Sequence, residues 1–535
     1  MDPEKHDGNI EYKLKLIDKN IERIETLATQ MRYRCIEGGG ECIYNLGVED
    51  NGTTVGITEK EYMETIKNIN LIADKNNYSV NILTIVPVKE NKNIYEVLIR
   101  ERNENKYIDV KVAVAGNVDS SKTTIVGCLT TGKNDNGRGL TRSFVFNYVH
   151  ELKTGRTSSI THQILGFDYD GKIVNYQGIN KPSWTEIIQK SAKVISFFDL
   201  AGHEKYLKTT ILGLTSSFPD ICMIMVDANN GIKPMTKEHI FLCVTLKIPF
   251  IIVISKIDIC KDRSNILKET IQGINKFLKY PGIRRIPLQI KDQDDIILAA
   301  KNIYSESMTP IFKTSCVTGE GLEKLKTFLN IMGKRNLNNN DSDFVEFYID
   351  HVFNVFGFGT VLGGHLISGK INVGDKLFIG PESGSYENIT IRSIYCKKTP
   401  LQTVSCGSYV CLGIKKVDKV NIKKGNVIIS NNTPKLIVKK FVAEVNVLRT
   451  HSTTVKEGYE PLFNAYSIRQ VTKIISIKNK KNLRGDVINE DNILRNGDTA
   501  VVELEFKYHP EYLKTGARFI LSESKCKIVG EVISI

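Results

Sequence analysis

Three features are absent from this 535-residue sequence, and each absence excludes a class of protein. Its longest apolar stretches, such as residues 249–254, have the length of one strand, whereas a membrane-spanning helix needs about 20 residues. The polar start, Met-Asp-Pro-Glu-Lys, is unlike an apolar secretory segment. The 11 cysteines include no C-x-x-C pair and no zinc spacing with histidine, which favours reduced thiols in a cytoplasmic protein. We therefore expect no membrane role, no disulfide framework and no structural zinc.

The length and the charge indicate a multidomain protein with an anionic partner. A chain of 535 residues exceeds what one core can organise, so three or four domains are expected. The hydrophobic fraction of 41% is ordinary for a globular protein. The net charge of +13 favours an anionic partner such as RNA, but composition alone does not identify it.

Residues 111–124 carry the most informative motif of the chain. An apolar run at 112–115 predicts a buried strand, and a helical pattern starts near Lys122. Between them the phosphate-loop template G-x-x-x-x-G-K-[ST] is matched except at its second glycine, where Ser121 stands. The predicted phosphate-binding residues are Gly116, Asn117, Val118, Asp119, Ser120, Ser121, Lys122, Thr123 and Thr124. An ordinary strand-to-helix turn is the alternative, because the template is degenerate.

The chemistry of this stretch suits a nucleotide phosphate. Successive backbone N–H groups can wrap a phosphate at the start of a helix, where the helix dipole adds positive potential. Lys122 would contribute a positive charge for the outer phosphates, and Thr123 a hydroxyl for Mg²⁺. Ser121 must then adopt a backbone conformation that glycine reaches more easily.

The N-terminal part is predicted as a helical segment, residues 1–32, followed by a small α+β domain, residues 33–107. Apolar residues at helical spacing define the segment, and they are Leu14, Ile17, Ile21, Ile24 and Leu27. In the small domain, Thr58 and Glu61 form a capping box for a helix, and strands are predicted at 80–86 and 94–99. The triple glycine at 38–40 is interpreted as a structural turn, with a phosphate or RNA contact as the alternative.

Residues 108–335 alternate apolar strands with helical patterns, which predicts an open α/β sheet with helices on both faces. The predicted strands are 112–115, 194–199, 222–227, 250–254 and 311–314. Functional residues in such sheets lie just beyond the carboxyl ends of the strands.

Four further groups of candidate site residues lie in this domain. At the end of the second strand, Asp199 would hold Mg²⁺ through water. The backbone N–H of Gly202, just after it, would approach a γ-phosphate. Thr157, in Gly-Arg-Thr-Ser-Ser, would complete the Mg²⁺ shell. The other two groups are candidates for binding a guanine base. One consists of Ser255, Lys256 and Asp258, and the other of Ser315, Cys316 and Val317. Each group is weak alone, since Asp at a strand end is often a helix cap.

The ordered set of motifs resembles the GTP-binding domain of translational GTPases such as elongation factor Tu and elongation factor 1 alpha. Asp-Leu-Ala-Gly-His at 199–203 resembles their Asp-x-x-Gly-His, and Ser-Lys-Ile-Asp at 255–258 their Asn-Lys-x-Asp. Ser255 replaces the asparagine, so the sequence does not decide whether the contact by which this residue tethers the neighbouring loop is kept. Three stretches, at 37–52, 155–159 and 165–168, are similar to the GTP-binding protein 1 and 2 family. The resemblance runs from about residue 32 onwards.

Two basic segments rich in short strands, residues 344–431 and 435–535, follow a polar linker and predict two β-barrels. They resemble the second and third domains of elongation factors. The aromatics in residues 353–358 are interpreted as core, with RNA stacking as the alternative. The lysine-rich stretch at 478–484 is interpreted as a solvated hairpin tip, with an RNA contact as the alternative. The predicted fold class is thus a P-loop α/β GTPase domain with two C-terminal β-barrels and a small N-terminal α+β domain.

The resemblance implies a molecular switch that binds GTP or GDP with Mg²⁺ and hydrolyses GTP. His203 would orient the attacking water, as its counterpart does in the resembling family. The expected partners are tRNA or ribosomes, with RNA-surveillance factors as a further option, and neither a membrane nor DNA. Delivery, ribosome rescue and RNA surveillance remain open roles. A scaffold that holds GTP without turnover is the second hypothesis, motivated by Ser121 and Ser255.

Overall fold

The computed structural model describes most of the chain. The described residues are 3–4, 8–17, 21–89, 91–102, 107–146, 151, 157, 160–177, 182–261, 263–280, 282–335, 344–356, 359–382, 384–415, 422–448, 454–482, 493–523 and 526–535. In these residues no helix is both long enough and apolar enough to cross a membrane.

The N-terminal domain is a four-stranded sheet with two helices. Its elements are β1 (Ile10–Lys13), α1 (Ile21–Glu37), β2 (Glu41–Leu46), α2 (Glu59–Lys75), β3 (Tyr78–Lys89) and β4 (Lys92–Glu101). The strand order is β1-β2-β4-β3, with β1 parallel to β2 and the other pairs antiparallel. The predicted capping box is confirmed, because Thr58 N donates to Glu61 Oε2 at 3.0 Å and Glu61 N to Thr58 Oγ1 at 3.4 Å.

The separate helical segment predicted for residues 1–32 is wrong. Leu14 and Ile17 precede α1 and follow β1, and the proposed boundary after residue 32 falls inside α1. Ile24 and Leu27 do follow the helical spacing and pack against the core of the N-terminal domain. Pairing of β1 with β2 buries Tyr12, so a tertiary contact outweighs the local periodicity before α1.

The triple glycine ends α1. Gly38 N donates to Arg34 O at 3.0 Å, Gly39 N to Ile36 O at 3.0 Å and Gly40 N to Cys35 O at 2.7 Å. Gly39 and Gly40 have φ of 69° and 114°, which a side chain would oppose. All three donors are therefore engaged with the helix end, as the structural interpretation of this loop predicts.

The central α/β domain has a seven-stranded sheet in the order β10-β11-β9-β8-β5-β7-β6. Its strands are β5 (Ile108–Gly116), β6 (Thr161–Phe167), β7 (Lys193–Asp199), β8 (Ile221–Asp227), β9 (Phe250–Ser255), β10 (Ile286–Gln289) and β11 (Met308–Lys313). Its helices are α3 (Lys122–Thr131), α4 (Trp184–Lys190), α5 (Leu207–Ser216), α6 (Pro234–Thr245), α7 (Ser264–Leu278), α8 (Gln293–Asn302) and α9 (Leu322–Ile331). All five predicted strands are present, whereas β6, which is antiparallel to β7, and β10 were not predicted.

A buried ionic cluster joins the N-terminal domain to the central domain. Glu41 of β2 accepts hydrogen bonds from Arg100 Nη2 at 3.0 Å and from Lys193 Nζ at 2.8 Å. Lys193 also donates to the carbonyl oxygens of Asn330, at 2.8 Å, and Met332. The side chains of Glu41, Arg100 and Lys193 are 0–1% exposed. We call these three residues the ionic cluster; it fixes the start of β7.

Two closed barrels follow. The strands of the first barrel and its extensions are β12 (Glu346–Val355), β13 (Gly359–Ser368), β14 (Lys370–Asn372), β15 (Lys376–Glu382), β16 (Ser385–Cys396), β17 (Thr399–Leu401), β18 (Thr403–Ser405), β19 (Ser408–Ile414) and β20 (Val427–Ile429). Those of the second are β21 (Lys440–Val447), β22 (Val455–Lys456), β23 (Leu462–Ala465), β24 (Ile468–Lys481), β25 (Ile493–Leu494), β26 (Thr499–Phe506), β27 (Arg518–Ser522) and β28 (Cys526–Ser534). Pairing of β15 with β16 closes the first barrel, and six strands close the second.

Two interpretations of barrel side chains need correction. Phe353 and Phe356 are 45% and 103% exposed near the end of the β12–β13 hairpin, so they are not core residues. Lys478 and Lys480 lie within β24, and Lys480 is buried with its Nζ 3.7 Å from Asp498 Oδ2. Strand pairing with β26 therefore continues through part of the stretch interpreted as a solvated tip. Arg484 lies outside the described residues.

Candidate functional site

The loop between β5 and α3 adopts a conformation suited to wrapping an anion. Asp119 and Ser121 have φ of 62° and 65°, the left-handed region that the sequence required of Ser121. A Cβ on Gly116 would lie 2.6 Å from Met225 O, so the first template position accepts only glycine without movement. Ser120 Oγ donates to Asn117 O at 2.7 Å and braces the loop from inside.

Lys122, the first residue of α3, lies buried beside this loop. Its Nζ donates to Asn117 O at 2.8 Å. Burial lowers the pKa of Lys122, while the nearby carboxylates of Asp199 and Asp119 act in the opposite direction. A Cβ on Gly202 would lie 2.2 Å from Lys122 Nζ, so glycine is what lets the loop after β7 approach the lysine. A phosphate at this position would offset the lysine charge.

Three oxygen-bearing side chains from separate segments meet next to Lys122. Thr123 Oγ1 lies 2.7 Å from Thr157 Oγ1 and donates to Asp199 Oδ2 at 2.5 Å. Thr157 Oγ1 donates to the same Asp199 oxygen at 3.4 Å. Burial raises the pKa of Asp199 to about 6, although the charge of Lys122 lowers it. The structure thus brings together all three residues predicted to hold Mg²⁺.

The donor set of this cluster fits a hard divalent cation. Asp199 Oδ1 is buried and has no hydrogen-bond partner among the described residues. Hydroxyl and carboxylate oxygens are the ligands that Mg²⁺ prefers, and the ion usually keeps several waters and substrate phosphates in its shell. The described residues include no group of three or more His, Cys, Asp or Glu that could hold a metal ion. Water and phosphate oxygens would supply the rest of the Mg²⁺ shell.

The segments predicted to read the base meet on the other side of the loop. Ser255 Oγ donates to Ser120 O at 3.1 Å, so serine at this position retains a tether to the phosphate loop. Ser315 Oγ donates to Asp258 Oδ1 at 2.5 Å and orients that carboxylate. Lys256 Nζ lies 2.9 Å from Asp227 Oδ2.

The loop after β11 has part of its predicted donors already engaged. Ser315 N donates to Glu320 O at 2.9 Å, and Val317 N to Ser315 Oγ at 3.2 Å. Among the described contacts of this loop, the Cys316 N–H is the donor left for a base carbonyl. Cys316 O accepts from Asp135 N at 2.8 Å, which links the loop to the segment after α3.

A small cavity lies above the phosphate loop. Its lining residues are Val118, Asp119, Ser121, Lys122, Thr123, Thr124, Arg142, Thr157, Gly202 and His203. His203 is half-buried, and its Nδ1 accepts from Lys205 N at 3.1 Å, which caps the short 3-10 helix Glu204–Tyr206. Nearly all of this lining was predicted from sequence; Arg142 was missed. The turn signal Asp-Asn-Gly at 135–137 was the available hint that this segment folds back.

Comparison with known proteins agrees with this geometry. Residues 109–351 match the model of the elongation factor Tu GTP binding domain, and residues 359–429 match that of elongation factor Tu domain 2. GTP-binding protein 2 of Homo sapiens is 39% identical over 544 residues, which cover 100% of this chain and 88% of that protein. This chain belongs to the GTP-binding protein 1 and 2 family. GTP-binding protein 1 of Xenopus laevis is 37% identical over 537 residues, 99% of this chain and 79% of that protein.

Membership of the GTP-binding protein 1 and 2 family confirms the resemblance that the motifs indicated. Translation elongation factor SelB of Methanococcus maripaludis, in complex with the GTP analogue GppNHp, superposes with a TM-score of 0.54 at 20% identity, over 80% of this chain and 79% of that one. At that identity the likeness supports the fold alone. A P-loop domain followed by two closed barrels is the architecture of translational GTPases. This chain is a GTPase.

Proposed function

We propose that this protein is a Mg²⁺-dependent GTP switch of the cytoplasm that acts on tRNA or ribosomes, in delivery, in ribosome rescue or in RNA surveillance. The observation that carries the proposal is the convergence of Thr123, Thr157 and Asp199 beside Lys122. Thr157 and Asp199 come from different segments, so a ligand that bridges them would hold both segments in place. The net charge of +13 favours an anionic partner such as RNA.

Each site residue has one task in this proposal. Thr123 and Thr157 would hold Mg²⁺ directly and Asp199 through water, and the bound ion would neutralise charge on the outer phosphates. Lys122 binds those phosphates. His203, which lines the same cavity, orients the attacking water. Asp258, held by Ser315, accepts the two N–H donors of guanine, and Ser255 keeps the phosphate loop beside the base.

The loop after β7 provides a route from the nucleotide to the barrels. It runs from Gly202 through His203 and the short helix Glu204–Tyr206 into α5. α5 packs against β23 of the second barrel, and Arg518 of the neighbouring strand β27 donates to Thr245 O at 3.0 Å. A γ-phosphate contact at Gly202 would thus bias how the second barrel packs on the central domain.

The alternative, a scaffold that holds GTP without turnover, was motivated by Ser121 and Ser255. Ser121 adopts the left-handed conformation of the glycine it replaces, and Ser255 donates to the phosphate loop. Both substitutions therefore leave the local geometry of the loop in place. The two serines therefore no longer argue for the scaffold.

Co-sedimentation with ribosomes tests the proposal. We expect more wild-type protein to pellet with ribosomes or to retain tRNA when a non-hydrolysable GTP analogue is bound than when GDP is bound. Binding should also fall linearly on a plot of log affinity against log salt, because phosphate contacts release counterions. The Lys122→Ala variant is the control, since it should lose the nucleotide dependence. Equal binding in the analogue-bound, GDP-bound and nucleotide-free states would contradict the switch.

A further inference from the structure

One cation in the lining of the nucleotide cavity has no role so far. Arg142 belongs to the short 3-10 helix Thr141–Phe144 and lines the same cavity as Lys122 and Thr124. It is half-buried. Because it follows α3 and precedes the segment that contains Thr157, neither the phosphate loop nor the magnesium cluster includes it.

The residue before Arg142 is fixed against α3. Thr141 Oγ1 donates to Thr124 O at 3.3 Å, and a Cβ on Gly127 would lie 2.3 Å from Thr141 O. Thr141 thus contacts the backbone of α3 at Thr124 and Gly127, and Arg142 extends from this anchor into the cavity that Thr124 also lines.

A loop built around Asp135 holds Arg142 in this position. The Asp135 carboxylate accepts from Gly137 N at 2.9 Å, Gly139 N at 3.1 Å and Thr141 N at 2.9 Å. Burial raises the pKa of Asp135, but these hydrogen bonds outweigh it and hold the pKa below its usual range. A Cβ on Gly139 would lie 2.1 Å from Arg142 Nε, so glycine makes room for the arginine.

We propose that Arg142 binds the inner phosphates of the guanine nucleotide, those that GDP and GTP share. A planar guanidinium makes paired hydrogen bonds to phosphate oxygens, and its anchored helix keeps it near that position before the nucleotide arrives. The site then has cations on two sides, Lys122 at the outer phosphates and Arg142 at the inner ones. The inference rests on the nucleotide site described under the proposed function.

The test compares nucleotide affinity and turnover in variants of the full chain. In Arg142→Ala, the affinities for GDP and for GTP should fall by similar factors, about 10-fold to 100-fold, as expected for a hydrogen bond to a charged group. Single-turnover hydrolysis at saturating GTP should stay within about twofold of wild type, because an interaction shared by ground state and transition state does not change that rate. Arg142→Lys should be intermediate. Arg138→Ala, an exposed arginine of the same loop, is the matched control and should bind like wild type.

Three outcomes would overturn the assignment. Unchanged affinity for both nucleotides would remove Arg142 from the site, and loss for GTP alone would place it at the γ-phosphate. Slower turnover at unchanged affinity would make it a transition-state group instead. Arg142→Gln, which keeps a long polar side chain without the charge, guards against misfolding of Arg142→Ala and should also lower the affinity for both nucleotides. If wild type fails to bind GDP, the nucleotide site itself is refuted, and the inference with it.

Discussion

Ser121 and Ser255 show how single residues keep a nucleotide site working after a template position changes. A non-glycine residue held in the left-handed region costs about 1–3 kcal/mol. Ser121 carries that cost within a loop that Ser120 and Ser255 brace by hydrogen bonds to Asn117 O and Ser120 O, at 2.7 and 3.1 Å. Neighbouring contacts thus determine the loop more strongly than the residue's own preference.

Asp258 should set the choice of base. A site built on hydrogen bonds to a base rejects an analogue that lacks them by a factor on the order of 10⁴. We expect Asp258→Asn to lose GDP affinity and to gain affinity for xanthosine diphosphate, in which one donor is replaced by an acceptor. Competition of both nucleotides against a fluorescent GDP measures this, with Asp170→Asn, a surface carboxylate, as control. Equal binding of ATP and GTP by wild type would contradict the assignment.

Local motifs placed most single site residues from the sequence. The parallel sheet brings together the residues at or just after the carboxyl ends of its strands. These are Lys122, Thr123, Asp199 and Asp258. Arg142 and Asp135 could not be found this way, because their positions depend on a loop that folds back by contacts with α3 and with Cys316. The hydrogen bonds that engage the N–H groups of Ser315 and Val317 also depend on loop contacts that local motifs do not reveal.

At the scale of elements, β7 connects the N-terminal domain with the nucleotide site. It begins at Lys193, which donates to Glu41 of the ionic cluster, and it ends at Asp199 beside Thr123. The N-terminal domain thus holds one end of the strand whose other end meets the predicted Mg²⁺. The N-terminal domain is thus packed directly against the strand that carries Asp199.

Removing the carboxylate of the ionic cluster should destabilise the protein strongly. Glu41→Gln leaves the buried charge of Lys193 without its partner, which costs about 3–5 kcal/mol. The matched control is Glu96→Gln, since Glu96 pairs with Lys301 at the same interface, where the lysine is 14% exposed and water can compensate. Urea unfolding at pH 7 measures both, and equal losses would contradict a special role for the ionic cluster.

The loss in Glu41→Gln should shrink at alkaline pH. Burial lowers the pKa of Lys193 to about 8, although Glu41 raises it. The unfolded chain keeps the ordinary value of about 10.4. The folded state therefore releases the proton first, and stability rises relative to the unfolded state as the pH increases from about 8 towards 10. In Glu41→Gln the pKa of Lys193 falls further, because Glu41 is the group that raises it, so the variant begins to gain stability at a lower pH than wild type does. We therefore expect a smaller difference from wild type at pH 9 than at pH 7.

Element prediction succeeded where periodicity and burial agree. The five buried strands of the central sheet read as apolar runs, while β6 and β10 lie at the two edges of the sheet. β6 is an antiparallel addition with polar residues, and β10 contains Pro287, so neither has the apolar signature of a central strand. The exposed Phe353 and Phe356 extend along a hairpin beyond the barrel core, which alternation alone cannot reveal.

At the scale of the whole molecule, both barrels contact the central domain through β5, α5 and α6. Lys397 Nζ of the first barrel lies 2.6 Å from Asp109 Oδ1, and Lys111 Nζ lies 3.1 Å from His365 Nδ1. Ile520 of the second barrel belongs to the core of the central domain. The loop after β7 leads into α5, which packs against β23, so the proposed switch would act on the second barrel through this contact.

Single-turnover GTP hydrolysis with ribosomes present measures whether His203 supports hydrolysis by the ribosome-stimulated switch we propose. In His203→Ala we expect the rate to fall about 100-fold or more, because positioning of the water is lost, while GTP affinity changes little. Lys205→Ala, an exposed neighbour on the same loop, should hydrolyse like wild type. Hydrolysis by His203→Ala at the wild-type rate, or no ribosome-stimulated turnover by wild type at all, would contradict this account.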